Sequence, residues 1–446
     1  MNYISIYDLI LLPLYLSIVY FFAFRKKNKH ILNEPNYKYY LTGLTIKILG
    51  GVGLCLVYTL YYKTGGDTLN YFDSGIVMLK LLGKSPSAFL DIIINGNKTD
   101  EQFSIFDSST GWPCYWPDKN SFFLIRLTCL LIFVSLKSYL ITTVLLAWIT
   151  YSGIWRLYTV FCKEFPLIKR DLAIALLFIP SVAFWGSGLL KDTITYSACC
   201  WFTVAFYNGV VKRRGLLKNL IIILISCYLI LSIKPYILYC LIPGSAIWMI
   251  SAFTSEVKSV VIKSLVFPLI LLIVSGSGYL IFKSIGNNLG KWSVDEVLER
   301  AVITQSDLVK DYYGGNTFDI GKFNATLPSM LSKAPIAIVA GLFRPFIWEA
   351  RNPVMIVSGL ENAFFMLMSL FLIVKLKVYN ILILAWKNPL LLYSLVFALF
   401  FAFMVGLTTP NFGSLVRYRI PAIPFFLSAL FILKYYYNKK SIDKTL

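Results

Sequence analysis

Residues 4–29 read ISIYDLILLPLYLSIVYFFAFRKKNK. The run Ile4–Phe24 is long enough to cross a bilayer, which takes about 20 apolar residues in a helix. No basic stretch precedes it and no small-residue cleavage site follows it. It therefore reads as a span and not as a cleaved signal peptide. Arg25, Lys26, Lys27 and Lys29 come directly after it. Basic residues collect in cytoplasmic loops, so the N-terminus is expected outside and this loop inside.

The same reading extends along the chain. The apolar run 40–62 returns outward and opens a long outer loop, 63–119, with an interfacial helix expected near 71–82. Later spans are expected over 171–185, 193–211, 217–233, 236–252, 260–282, 353–374, 389–407 and 420–435. A second large outer loop is expected over 283–352. The clusters Lys163/Lys169/Arg170, Lys212/Arg213/Arg214/Lys218, Lys258/Lys263, Lys375/Lys377/Lys387 and Lys434/Lys439/Lys440 all fall on the inner side of this scheme. Between 122 and 161 lie two apolar halves. One span plus a re-entrant or interfacial half keeps the charge rule, whereas two full spans break it. The C-terminus is then cytoplasmic, and the fold class is an all-α polytopic membrane domain with about 11 (10–13) transmembrane helices.

Composition agrees. Of 446 residues, 58% are hydrophobic and 14% charged, with a mean hydropathy of +0.70. Soluble domains run near 45–50% apolar and about 25% charged. A soluble enzyme and a disulfide scaffold are excluded. The net charge of +20 would suggest nucleic acid in a soluble protein; here it follows from the positive-inside rule, and no nucleic acid is expected. Abundant Lys, Asn and Ile suggest a bacterial source, and helical spans then point to the inner membrane. His30 is the sole histidine, so a histidine-based triad is excluded. No Cys spacing matches a zinc site.

Charged groups at outer span ends are informative, because the positive-inside rule does not account for them. Five clusters qualify. Gly65-Gly66-Asp67 begins a stretch that continues through Tyr71; Asp67 suits a general base for an acceptor hydroxyl, or a helix cap in an ordinary loop. Lys191-Asp192 follows an outer turn; Lys191 suits a phosphate and Asp192 an acceptor or a metal, or the two form a local ion pair at a helix start. Lys234, beside Pro235, suits a lipid phosphate or snorkels to the interface. Arg344, among aromatics, suits bidentate phosphate recognition, or a structural pair with Glu349. Arg417 and Arg419 stand before the last span and suit an anion or headgroups. Trp112-Pro113-Cys114-Tyr115-Trp116-Pro117 reads as an aromatic belt or a substrate platform. Arg126, Arg156 and Glu361 lie within or near spans.

Two acids and several cations at outer span ends suit a lipid-linked phosphate substrate. Cations would hold the phosphate, and a carboxylate would activate the acceptor. A polyprenyl phosphate would leave as Arg or Lys stabilised its charge. The Gly-Asp-x-x-x-Tyr pattern at Gly66–Tyr71 resembles the first-loop motif of GT-C glycosyltransferases, such as protein O-mannosyltransferases and aminoarabinose transferases. Pro180 through Lys191-Asp192 resembles that family's second acidic turn, and Arg417-Tyr418-Arg419-x-Pro421 is similar to its Arg-Tyr-x-x-Pro element. The resemblance implies transfer of a sugar from a polyprenyl-phosphate donor to a glycan, lipid or protein acceptor, in cell-envelope polysaccharide or glycoconjugate assembly. It implies Asp67 and Asp192 as catalytic acids, and Arg417 and Arg419 as donor-phosphate ligands. Tyr71, Lys191, Lys234, Arg344 and Glu349 complete the expected binding set. Members of the family differ in metal use, so no cofactor is assigned and a divalent metal stays open. Two other readings stand beside this one. An O-antigen type polymerase or ligase would use Arg344, Arg417 and Arg419 on a lipid diphosphate. A transporter for lipid-linked sugars would place polar residues midway along spans.

Overall fold

A computed structural model describes residues 3–62, 66–254, 299, 302–307 and 316–442. Every regular element among them is helical, and the one β-type contact is an isolated bridge between Thr317 and Asn411. In chain order the helices are α1 (Ile6–His30), α2 (Tyr40–Leu56, continued by a π-turn at Val57–Tyr61), α3 (Asp67–Lys84), α4 (Pro86–Asn95), α5 (Asp100–Phe103), α6 (Lys119–Val134) and α7 (Tyr139–Glu164). Then come α8 (Lys169–Leu177), α9 (Pro180–Trp185), α10 (Lys191–Phe206), α11 (Leu216–Ile233) and α12 (Tyr236–Thr254). The series closes with α13 (Leu327–Ser332), α14 (Ala334–Phe343), α15 (Pro353–Leu376), α16 (Val378–Lys387), α17 (Pro389–Thr408), α18 (Phe412–Tyr418) and α19 (Ile423–Ile442).

Seven of these helices are long and apolar enough to cross a membrane. An eighth span results if α18 and α19, bent by 68° against each other, count as one. The chain is thus an all-α membrane protein. The expected span at 260–282 lies outside the described residues. Local chemistry sets the helix ends. Ser5 and Asp8 form a capping box on α1, satisfying two amides that the first turn leaves open. The expected span 171–185 is not continuous: it is α8 and α9, parted at Phe178-Ile179. Pro180 causes the break, since proline disfavours helix at the residue before it and is well placed at a helix start. The two apolar halves of 122–161 are α6 and the long span α7, parted at Ser135–Ser138. The second expected loop holds an apolar helix, α14, which at 10 residues is too short to span.

The chain divides into two compact units. The first comprises Met1–Lys169, Leu176–Val204 and Ile221–Lys234; the second comprises Arg170–Ala175, Ala205–Leu220 and Pro235–Leu446. Each is held by close helix contacts at small residues, the usual means of association where burial from water offers little. In the first unit, Gly50 of α2 lies against the backbone of α9, where a Cβ would come 2.0 Å from the Ala183 carbonyl oxygen. One end of this unit is basic. There the ring of His30, at the end of α1, stacks on Tyr37 at 5.0 Å, and the Lys26 ammonium lies 5.1 Å over Tyr40.

In the second unit α14 packs on α17 through Ala337 and Gly341 against Ala402 and Gly406. A Cβ on Gly406 would stand 2.0 Å from the Ala337 oxygen and 3.0 Å from the Gly341 nitrogen. Both neighbours are backbone, so neither can yield without parting the helices. Gly406→Val is therefore expected to destabilise the unit by about 1–3 kcal/mol or more. Thermal unfolding in detergent checks this, and an unchanged midpoint would disprove the close contact.

Candidate functional site

The first unit brings several of the expected residues together around one loop, residues 111–118. Gly66 adopts φ +107°, and a Cβ there would meet the Tyr58 ring at 2.5 Å. Only glycine makes this turn without strain. It starts α3 with Asp67 as the first helical residue, where the helix dipole favours a carboxylate. Asp67 is partly exposed. Its Oδ1 accepts a 2.9 Å hydrogen bond from the Tyr115 hydroxyl, which also accepts from the Asn70 amide at 3.3 Å. Tyr71 is 2% exposed and packs its ring on Tyr115 at 5.2 Å. Tyr71 thus lies behind Tyr115, supporting it.

Tyr115 has φ 61°, a left-handed conformation that costs a non-glycine residue of order 1 kcal/mol. Its neighbours hold it there. The Cys114 amide donates to Ser74 Oγ at 2.9 Å, and the Asn97 side chain donates to the Trp116 carbonyl. Burial pushes the Tyr115 hydroxyl up to about 12, with the charge of Asp67 adding to the shift and the Asn70 bond opposing it. It therefore stays a donor to Asp67 across the neutral range.

Three residues further on, Asp118 caps α6, accepting from the Asn120 amide at 3.2 Å. The same carboxylate lies 3.6 Å from the ammonium of Lys191, the first residue of α10. Asp192 beside it is fully buried and pairs with Lys234 at 2.5 Å. Asn120 donates to the Ser232 carbonyl at 2.8 Å, tying the start of α6 to the end of α11. Asp67 and Lys191 are thus reached from one loop, through Tyr115 and Asp118. Asp192, next to Lys191 in the chain, and Lys234 form a buried pair rather than an open acid and an open cation. Such a pair is costly to break, because the survivor keeps an uncompensated charge.

The second unit holds the remaining residues. Segments 316–318 and 410–412 pair through Phe318 N–H to the Pro410 carbonyl and Phe412 N–H to the Asn316 carbonyl, both at 2.9 Å. Arg344 lies 5.0 Å over the Phe318 ring and 5.5 Å over Phe346. Its guanidinium stands 3.5 Å from Glu349, which also accepts from the Phe346 amide at 2.8 Å. Trp348 stacks on Phe346 at 4.8 Å and is 77% exposed. Arg417 is partly exposed, its guanidinium 5.9 Å from the Tyr418 ring. Arg419 differs. It is 1% exposed and donates to the carbonyls of Leu342 and Arg344 at 3.0 Å, and to Asn362. The expected role of Arg419 as a phosphate ligand gives way to a structural one.

Three residues escaped the sequence reading. Tyr115 stands inside a motif that reads as an aromatic belt or a substrate platform. Asp118 stands directly before the start of α6, where an acid reads as an ordinary cap. Lys47 lies within an apolar run and is 5% exposed; a lysine midway along a span is itself the signal that finds it. Among the described residues, no three His, Cys, Asp or Glu side chains gather to hold a metal ion. No protein family, no curated protein and no solved structure matches the chain.

Proposed function

We propose that the protein is a membrane glycosyltransferase. It moves a sugar from a polyprenyl-phosphate donor to an acceptor at the membrane face opposite its basic loops. The observation that carries this reading is the partly exposed Asp67 carboxylate, aimed by Tyr115 and linked through one loop to Lys191. Asp67 takes the proton of an acceptor hydroxyl as it attacks the sugar's anomeric carbon. Lys191, with its side chain 15% exposed, offsets charge on the departing phosphate. Within the second unit by itself, Arg344 and Arg417 are candidate ligands for an anion. The N-terminus outside and the C-terminus in the cytoplasm of a bacterial inner membrane complete the reading.

The alternative with its own support is a polymerase or ligase acting on lipid-diphosphate-linked oligosaccharide. The aromatic patch around Arg344, with exposed Trp348, favours it, since stacked rings suit a sugar chain and a guanidinium suits a diphosphate. Mass spectrometry of lipid-linked sugars in a deletion strain separates the two. A monosaccharide accumulating on polyprenyl monophosphate supports the transferase. A complete repeat on polyprenyl diphosphate supports the polymerase, and no change in either pool rejects both.

Tyr115→Phe tests the positioning of Asp67. A hydrogen bond to a carboxylate favours its charged form, so removing it raises the Asp67 pKa. The acid limb of the rate profile is expected to move to higher pH, with transfer falling about tenfold by loss of one aiming contact. Tyr115 itself, held at about 12, contributes no alkaline limb near neutral pH. A Phe variant with an unmoved acid limb would separate Tyr115 from the base.

A further inference from the structure

Lys47 sits midway along the span Pro35–Tyr61 of the first unit, 5% exposed. Its ammonium donates to the Gly186 carbonyl at 2.5 Å and lies 3.5 Å from Ser187 Oγ. Among the described residues no carboxylate pairs with it. A cation at membrane depth ordinarily faces a counter-charge or a polar cavity, and here it lines a cavity of about 20 Å³. Ser187, Tyr151 and Tyr196 contribute the other polar walls. Tyr151 donates to the Tyr40 carbonyl. The fully buried Tyr196 hydroxyl has no partner oxygen or nitrogen, only the Cys200 thiol beside it.

We infer that this cavity is a binding site for a small monovalent anion of chloride size. The walls offer an ammonium and hydroxyl donors, and no acid lines them, so the site opposes cations. The volume admits a water-sized particle with some room to spare, which suits a compact ion such as a halide. A water molecule fits but leaves the buried charge of Lys47 uncompensated, the costly arrangement in a low-dielectric interior. A halide supplies the counter-charge that the ammonium lacks, in a cavity that Ser187 and Tyr196 also line. The site is independent of the proposed sugar transfer and uses none of its residues.

The test is thermal unfolding of the purified full chain in detergent, with sodium chloride exchanged for sodium gluconate at constant ionic strength. A ligand that binds only the folded state raises Tm by mass action, and at about ten times its Kd the rise is about 2 °C for a chain of this size. The wild type is expected to show a saturating rise with chloride and with bromide, and none with sulfate. Lys47→Met keeps the side chain's bulk and is expected to abolish the rise. Tyr196→Phe removes one hydroxyl and is expected to shift the midpoint of the chloride titration several-fold higher. A wild type indifferent to halide would show that the cavity holds water alone and overturn the inference. A rise that persists in Lys47→Met would do the same by placing the anion elsewhere. Should Lys47→Met fail to fold, the wild-type halide series and Tyr196→Phe decide the matter.

Discussion

Asp67→Asn is expected to lower sugar transfer about 10²–10⁴-fold, the usual contribution of a positioned general base, while the protein inserts and unfolds as the wild type does. The amide keeps the shape of the carboxylate and can still accept from the Tyr115 hydroxyl, so the 2.9 Å contact and the start of α3 survive. What it loses is the ability to take a proton. The effect should therefore fall on kcat, with little change in KM, since the acceptor's binding contacts remain. Donor turnover by purified protein in nanodiscs, read by mass spectrometry, measures it. Wild-type turnover in Asp67→Asn would remove Asp67 from the chemistry and reduce it to the helix-start acid that its position also allows. Loss of activity together with a lowered Tm would be the signature of that structural role instead.

The sequence made the helical class legible because apolar runs and basic clusters are one-dimensional signals. The ends of α11, α15 and α17 fall within two or three residues of the expected spans. Breaks inside apolar runs were harder to place. The 171–185 run looks continuous by hydropathy, yet Pro180 divides it, and α14 sits as a short apolar helix in what reads as a polar loop. Candidate residues were legible where a charge stood out of place, as at Asp67, Lys191 and Arg344. Partners were not legible, because they depend on which loop folds onto which helix end. Nothing local ties Tyr115 to Asp67, 48 residues earlier in the chain. Nor could spacing separate Arg417 from Arg419, two residues apart, although one is partly exposed and the other is enclosed by carbonyls.

That enclosure sets the second large effect. Arg419→Met is expected to cost about 3–5 kcal/mol of stability, because several buried carbonyls lose their donor at about 1–3 kcal/mol each. The carbonyls it serves, those of Leu342 and Arg344 at 3.0 Å and Gly341 at 3.4 Å, belong to the end of α14. A helix leaves its last carbonyls without partners, and a cation there is favoured by the dipole. Arg419 meets both needs at once and also reaches Asn362 of α15, which in turn donates to the Pro345 carbonyl at 2.8 Å. Three elements, α14, α15 and the bend before α19, are thus joined by one guanidinium. Methionine fills much of the volume but leaves each buried carbonyl unsatisfied, at about 1–3 kcal/mol apiece before relaxation. Arg419→Lys restores a charge but only one point of donation, so it should fall between the two. Arg417→Met, by contrast, removes a partly exposed side chain and should leave Tm nearly unchanged while weakening the affinity for a polyprenyl-phosphate donor. Unfolding midpoints and donor affinity measured on all three variants test the division. A stable Arg419→Met protein that had lost donor binding would return Arg419 to the phosphate site.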